Sequence, residues 1–236
     1  MERVAERVIQ FDLARQSVRE LNQFLHEASA SGLSSDRRIE VLHPNGQHNI
    51  AVGVNIPWQI EIQGHAGYFI GGMNRQADLT IHGNVGWSVA ENMMSGSVRV
   101  KGCASECAGA SAHGGLLVIE GDASSRCGIS LKGSDIVVGG SVGHMSAFMA
   151  QAGRLVVCGD AGPNLGDSLY EAVIYVRGKV HSLGTDAREE PMQPDDYRVV
   201  TDLLTQAKID HDPRTFRRIA SARTLYHWHA ANSSHY

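Results

Sequence analysis

The sequence predicts an all-β protein, a parallel β-helix of about seven 19-residue coils with helical segments on either side. Three observations predict it. A glycine recurs at a strict spacing of 19 residues, seven times without a slip. The positions four and two residues before each of these glycines are always Ile, Leu or Val, and the position two residues after it is always Ala or Val. Self-similarity at a short fixed period is typical of solenoids, in which each repeat packs against its neighbours.

Each repeat has the pattern of a short strand followed by a turn. Apolar residues at alternate positions, many of them β-branched, favour a strand with one face turned inward, and the glycine favours a sharp corner. Further small residues follow three and seven positions later, as at Gly67 and Gly71, so that a unit turns several times within its length. Stacked units would place equivalent strands about 4.8 Å apart in parallel ladders. The seven glycines, called the anchor glycines below, are Gly64, Gly83, Gly102, Gly121, Gly140, Gly159 and Gly178.

Other repeat architectures fit this period less well. Nineteen residues are too few for a pair of helices, and no unit shows a period of about 3.6 residues. The left-handed hexapeptide β-helix is the nearer alternative, with a coil of roughly 18 residues built from three sixes. It stays open as an alternative, although the sub-periods here are unequal.

The repeat divides the chain into three predicted parts. Residues 1–38 form an N-terminal helical segment, with an amphipathic helix over residues 13–28. The glycine-repeat β-helix spans residues 39–187, beginning with a hairpin or an irregular first coil at 39–54. Residues 188–236 hold a linker, a helix over residues 195–209 and a tail. Because the open end of a solenoid exposes unpaired strand edges, we expect the terminal parts to dock on the β-helix or on a partner.

One outward-facing position changes character along the solenoid. Three residues before each anchor glycine, the first coils carry polar side chains and the last four carry an apolar stripe. We expect this stripe to be covered, either by the C-terminal helix of the same chain or by another subunit. It is therefore a candidate interface, formed by Val118, Val137, Val156 and Tyr175.

The sequence offers no recognisable reactive site. The four cysteines occupy different positions of the repeat, which favours small buried thiols over a zinc or iron–sulfur site. Acidic residues beside the corners are expected to bond their own backbone, namely Asp122, Asp160 and Asp167. His227, His229 and His235 could bind a metal ion, but an interface tail is the preferred interpretation. We therefore expect no catalytic, cofactor-binding or metal-binding residue in this chain.

Charge and composition limit the classes of protein to which the chain could belong. The formal net charge is −4 and the isoelectric point is near 6.3, so there is no electrostatic reason to expect nucleic acid or an anionic membrane as a partner. No apolar run approaches the roughly 20 residues of a membrane span. Irregularly spaced cysteines and a charged N-terminal segment lead us to expect a cytoplasmic protein.

The Gly-x-x-Gly-x-x-x-Gly units, as at residues 64–71 and 159–166, resemble the C-terminal glycine-repeat domain of the glutamate synthase large subunit. That family also includes the glycine-repeat polypeptides of formylmethanofuran dehydrogenase and of the related formyltransferase/hydrolase. The resemblance covers residues 45–187 and implies that the β-helix is right-handed. The chain departs from the glycine columns at Ala90, Ser105, Ser124 and Ala147.

As a free-standing chain, and over residues 163–187 in particular, it is similar to the glycine-repeat subunits of N-methyl-L-glutamate synthase complexes. The resemblance implies two partners, a glutaminase-like subunit and a synthase subunit that carries FMN and an iron–sulfur cluster. Such a complex converts methylamine and L-glutamate into N-methyl-L-glutamate and ammonia. This chain would be its non-catalytic scaffold and would hold no cofactor of its own. A scaffold in a formylmethanofuran dehydrogenase or formyltransferase/hydrolase complex, a glutamate synthase subunit, and an independent transferase or binding solenoid stay open as alternatives.

Overall fold

The computed structural model describes residues 8–31 and 37–224. Within them the chain forms a single 11-stranded sheet wound into a β-solenoid of about seven turns, with two flanking helices. The predicted fold class is therefore confirmed, while the right-handed sense stays a prediction. The strands are β1 (Val8–Asp12), β2 (Arg38–Leu42), β3 (Gln59–Gln63), β4 (Asp78–Ile81), β5 (Ser97–Val100), β6 (Leu116–Ile119), β7 (Lys132–Val138), β8 (Ala152–Val157), β9 (Val173–Val176), β10 (Ala187–Glu190) and β11 (Arg217–Ser221).

The strand register stacks the repeated aliphatic residues directly above one another. From β3 to β9 every neighbouring pair is parallel, and each paired residue lies opposite the residue 19 positions further on, except at the start of β7, where the register shifts and Lys132 lies opposite Ala152. None of the fourteen inward-facing side chains is more than 1% exposed. Burying one such side chain contributes about 1.5–3 kcal/mol. The two inner columns are Ile60, Leu79, Val98, Leu117, Ile136, Leu155 and Ile174, and Ile62, Ile81, Val100, Ile119, Val138, Val157 and Val176.

A third column continues the stacking past the corner. The small apolar residue two positions after each anchor glycine forms an isolated parallel bridge to its equivalent in the next coil. All seven side chains are Ala or Val, and the first six are at most 6% exposed. The column consists of Ala66, Val85, Ala104, Ala123, Val142, Ala161 and Val180.

The remaining turn of each coil uses left-handed backbone at alternate residues. In the second coil, Ser88, Ala90 and Asn92 have φ values of 61°, 56° and 53°. The middle one of these three positions is Gly in most coils, as at Gly109 with φ 68°, because glycine adopts this conformation without a steric penalty. Ala90 shows that the turn also forms with the smallest side chain, which explains its departure from the glycine column.

The N-terminal segment contains a strand as well as a helix. β1 pairs in parallel with β2, and β2 pairs in parallel with β3, so residues 39–54 form a first coil and no hairpin. Helix α1 (Val18–Ala30) begins five residues later than the predicted start at residue 13. Ser17 sets this start, because its hydroxyl accepts a hydrogen bond from the Glu20 backbone N–H while the Glu20 carboxylate accepts one from the Ser17 N–H.

Helix α1 covers the first coil with both apolar and polar side chains. Leu21 and Leu25 are fully buried in the core. The Asn22 side-chain amide donates to the Asn49 carbonyl at 2.7 Å and accepts from the Ala51 N–H at 2.9 Å. In the described residues no preceding coil supplies partners for these two backbone groups, and helix α1 does so in its place.

The C-terminal part folds back over the solenoid. Helix α2 (Pro194–Ala207) occupies nearly the predicted range, while part of the predicted linker forms β10. After a short 3-10 helix (Pro213–Thr215), β11 inserts antiparallel between β9 and β10. The last strand of the parallel ladder thereby gains a partner from the same chain.

Candidate functional site

The anchor glycines form a hydrogen-bonded ladder along one corner of the solenoid. From Gly102 to Gly178, the N–H of each anchor glycine donates to the carbonyl oxygen of the preceding one at 2.7–3.1 Å. A Cβ atom at Gly140 would lie 2.9 Å from the Gly121 oxygen and would overlap with the Asp122 carboxylate. Only Gly64 among the seven has a positive φ. The close approach of consecutive coils, and not a left-handed corner, is therefore the physical reason for glycine from Gly83 onwards.

The residues directly after the anchor glycines form a second ladder, which we call the corner ladder. Each side chain accepts a hydrogen bond from the backbone N–H of its equivalent in the next coil; the Asp122 carboxylate, for example, accepts from the Ser141 N–H at 2.7 Å. The distances along the ladder run from 2.7 to 3.4 Å. The accepting side chains are His65, Asn84, Cys103, Asp122, Ser141 and Asp160, and the last donor is the Lys179 N–H.

The corner ladder corrects the expectation for the corner aspartates. Asp122 and Asp160 do not bond their own backbone; they accept from the coil above, because the corner N–H groups point along the solenoid axis. Asp167 also accepts from a later coil, at the Thr185 N–H. The sequence contained a signal for this ladder, since six successive units carry a side-chain hydrogen-bond acceptor at this position. The signal is weak because His, Asn, Cys, Asp and Ser belong to different chemical classes.

The apolar stripe lies beneath helix α2. Its four residues are at most 2% exposed and pack in one cluster with side chains of the helix and with Phe216. The stripe is therefore an internal contact between the solenoid and its own C-terminal segment, and not a surface open to another subunit. The helix residues in the cluster are Val200, Leu203, Leu204 and Ala207, set against Val118, Val137, Val156 and Tyr175.

Hydrogen bonds hold both ends of α2 on the sheet. At its start, Asp196 accepts from the Tyr175 hydroxyl at 2.7 Å and from Arg218 Nε at 3.3 Å. Burial, and then the hydrogen bond to Asp196, raise the pKa of the Tyr175 hydroxyl. Asp196 also accepts from the Gln193 N–H at 2.7 Å, so one carboxylate caps the helix and joins it to the sheet.

Arg99 holds the other end of the helix. Its guanidinium donates to the carbonyl oxygens of Gln206 and Ala207 at 3.1 and 2.9 Å, where the helix carbonyls lack partners within the helix. Glu120 positions the guanidinium through a 3.0 Å ion pair and also contacts Lys101. Burial acts to raise the pKa of Glu120, but the hydrogen bonds from Lys101 and Arg99 outweigh it and lower the pKa below its usual value.

A polar cavity of about 220 Å³ lies where the terminal strands meet. Three arginines line it, Arg188, Arg218 and Arg223, together with Glu171 and Glu190. The guanidinium groups are already paired: Arg188 and Arg218 contact Glu190, and Arg223 contacts Glu171 at 3.1 Å. The Arg218–Glu190 pair joins β11 to β10, and the Arg223–Glu171 pair joins the residues after β11 to the solenoid.

Two of the four thiols, those of Cys127 and Cys158, are buried. Burial raises the pKa of Cys127 to about 12 and that of Cys158 to about 11, and it also raises the pKa of Cys107. Cys103 is exposed and belongs to the corner ladder. Over residues 8–31 and 37–224, no three His, Cys, Asp or Glu side chains are arranged to hold a metal ion. The three histidines of the tail, at 227, 229 and 235, lie outside the described residues.

Neither helix could cross a membrane, since no helix in the described part of the chain is long and apolar enough. No protein-family model matches the sequence. The chain is similar to Protein GlxC of Rhizobium meliloti (strain 1021), with 53% identity over 226 residues. The matched region covers 95% of this chain and 98% of that relative, so it includes the solenoid and both flanking segments. A relationship this extensive identifies the chain as a member of the GlxC family.

Proposed function

We propose that the chain is a non-catalytic structural subunit of a glutamate-synthase-like complex, and specifically of an FMN-dependent N-methyl-L-glutamate synthase. The observation that carries the proposal is that the side chains of the repeat make structural contacts, most of them between one coil and the next. The inner columns fill the core, the corner ladder joins consecutive corners, and the outer stripe binds α2. What such a solenoid offers to other proteins is a stiff surface of fixed shape.

The resemblance of the glycine units to the glutamate synthase repeat supports the choice of complex. In the proposed assembly the solenoid bridges a glutaminase-like subunit and a synthase subunit that carries FMN and an iron–sulfur cluster. Ammonia or methylamine must pass between two sites of such an assembly without escaping to solvent. That transfer requires a constant distance and orientation between the subunits, which a solenoid linked by hydrogen bonds at every coil can provide.

Co-purification tests the proposal. The full chain, carrying an affinity tag, is expressed in its native host, and the recovered complex is analysed by mass spectrometry and visible absorption. We expect a flavin spectrum, a glutaminase-like partner, and formation of N-methyl-L-glutamate from methylamine and L-glutamate. The matched control is the same host without this chain, in which activity and co-purification of the two partners should both be lost.

Other outcomes would overturn the proposal. A formyltransferase or a metal-dependent amidohydrolase among the partners would favour a formyl-transfer complex. Turnover by the isolated chain would favour an independent enzyme. Recovery of the chain alone, from cells that contain active complex, would remove the structural role.

A further inference from the structure

Three aromatic rings stack on the outer surface of the first coils. The His48 and Tyr68 ring centroids are 4.3 Å apart with an interplanar angle of 19°, and those of Tyr68 and Trp87 are 5.4 Å apart with an angle of 17°. Tyr68 and Trp87 both lie four residues after an anchor glycine, so the stack runs from coil to coil along the solenoid. We call these three residues the aromatic stack.

The backbone beneath the aromatic stack leaves room for the rings. A Cβ atom at Gly67 would overlap with the His48 ring, and one at Gly86 would lie 2.5 Å from Tyr68 Cδ1. His48 Nδ1 accepts a hydrogen bond from the Tyr68 N–H at 2.8 Å, which fixes the first ring. The glycines three residues after the anchors therefore position the stack, and its rings are held before any partner arrives.

The stack ends at Trp87, which is 50% exposed. One face of its ring contacts Tyr68, so the other face is turned toward the third coil. The next residue in this column is Glu106, whose carbonyl accepts from the Ser88 N–H at 2.9 Å. In the described part of the chain, Glu106 forms no ion pair or side-chain hydrogen bond, and no cation lies over the Trp87 ring.

We propose that Trp87 and Glu106 form a docking site for an arginine side chain of a partner subunit. A guanidinium is planar, so it can continue the stack of planar rings, and its positive charge complements the Glu106 carboxylate. The carboxylate can accept two parallel N–H hydrogen bonds from it, which a lysine cannot supply in that geometry. The exposed Phe69 ring beside the stack would contact apolar groups next to that arginine. This inference rests on the proposed function, because it names one contact between this chain and its complex.

Affinity measurements test the contact. The full chain and its variants are titrated against the purified remainder of the complex, and dissociation constants are determined. We expect Trp87→Ala and Glu106→Gln each to weaken binding at least 10-fold. In the double variant the loss should be smaller than the product of the two single losses, because both groups bind one guanidinium. Tyr197→Ala and Asp202→Asn, at exposed positions on α2, are the matched controls and should bind like the wild type.

The results separate this inference from the proposed function. If the wild-type chain binds and both variants bind equally well, the docking site is wrong and the structural role stands. If the wild-type chain does not bind, the structural role fails and the docking site with it. Unchanged thermal denaturation of the variants shows that a loss of binding does not come from unfolding.

A photo-crosslink tests the identity of the docked group. A chain carrying p-benzoyl-L-phenylalanine in place of Trp87 is irradiated within the complex, and the attached peptide is sequenced by mass spectrometry. The inference requires an arginine in that peptide or within a few residues of it. A peptide without one would overturn the assignment.

Discussion

At the scale of single residues, consecutive coils can approach closely because glycine has no Cβ atom. From Gly83 onwards, the anchor glycines approach the backbone of the preceding coil so closely that a methyl group would collide with it. The same glycines donate to one another at hydrogen-bond distance, so a shift that relieved the collision would also lengthen these bonds. Glycine is therefore required by packing between coils.

Gly140→Ala tests this requirement. Its new Cβ would lie 2.9 Å from the Gly121 oxygen, and we expect a loss of about 1–3 kcal/mol in the free energy of unfolding. Gly72→Ala is the matched control, because there a Cβ would meet only ordinary contacts at 3.5 and 3.6 Å. Urea denaturation followed by circular dichroism measures both. Equal stability of the two variants would contradict the role of the close approach.

The thiols should differ sharply in reactivity. With a pKa of about 12, Cys127 is a thiolate in about one molecule in ten thousand at pH 8, and it is also fully buried. We expect iodoacetamide at pH 8 to modify the exposed Cys103 first and to leave Cys127 and Cys158 unmodified in the folded protein. Peptide mass spectrometry gives the order of modification. Labelling in urea is the control, in which all four cysteines should react.

At the scale of elements, each flanking helix is fixed to the solenoid by polar contacts at specific places. Apolar burial brings a helix to a surface but does not select its position along that surface. Asp196 and Arg99 at the two ends of α2, and Asn22 in α1, supply bonds that are satisfied in one register only. The polar groups therefore decide where each helix sits.

Tyr175→Phe removes one of these bonds without changing the apolar stripe. We expect a loss of about 1.5–3 kcal/mol in the free energy of unfolding, because the hydroxyl donates to a carboxylate in a buried setting. Tyr197→Phe, with its side chain at the surface of the same helix, should change stability by less than about 0.5 kcal/mol. Chemical denaturation compares the two. A Tyr175→Phe variant as stable as Tyr197→Phe would show that the Asp196 contact does not fix the helix.

Asn22→Ala tests the closure of the first coil. It removes a donor to the Asn49 carbonyl and an acceptor for the Ala51 N–H, which should open the end of the ladder. We expect faster hydrogen exchange in residues 47–54 and some self-association through the exposed edge. Gln23→Ala, at the neighbouring exposed position of α1, is the control. Mass-resolved hydrogen exchange and analytical ultracentrifugation report the two effects, and wild-type behaviour in both would argue against a capping role for Asn22.

At the scale of the whole molecule, each coil is stabilised mainly by the coils above and below it. The inner columns run through all seven units, so a destabilising substitution in a central coil weakens the packing of both neighbouring coils. A destabilising substitution in a terminal coil affects only one neighbouring coil. Stability should therefore depend on where in the stack a substitution falls.

Val138→Asp places a charge in the centre of an inner column, where the wild-type side chain is fully buried. We expect a loss of more than about 4 kcal/mol, or no soluble protein, because the carboxylate has no partner there. Val8→Asp makes the same change in β1 at a side chain that is 44% exposed, and should leave the yield close to normal. Soluble yield and thermal denaturation compare the variants, and similar results from both would contradict a shared core.

The strength of the sequence pattern decided which features could be predicted. Residues such as Ile62 and Val138 could be placed in one column, because the interior accepts a single chemical class and the period never changes. The corner ladder was missed, because any short side chain with an acceptor atom serves there and the column therefore looks mixed. Ser17 could have indicated the true start of α1, but the apolar spacing of the residues before it was equally compatible with helix.

The sequence by itself determined the winding of the chain, since an uninterrupted period of 19 residues with three recurring apolar columns can be buried only by stacking coil on coil. Only the tertiary structure decided what covers the outer stripe. An apolar outer column predicts that some surface buries it, but it does not indicate which segment provides that surface. It also decided the return of β11 to pair with β9, where the partners are about 40 residues apart and share no repeat. The repeat can be seen directly in the order of residues along the sequence. Contacts between distant segments depend instead on the three-dimensional surface that the stacked coils form.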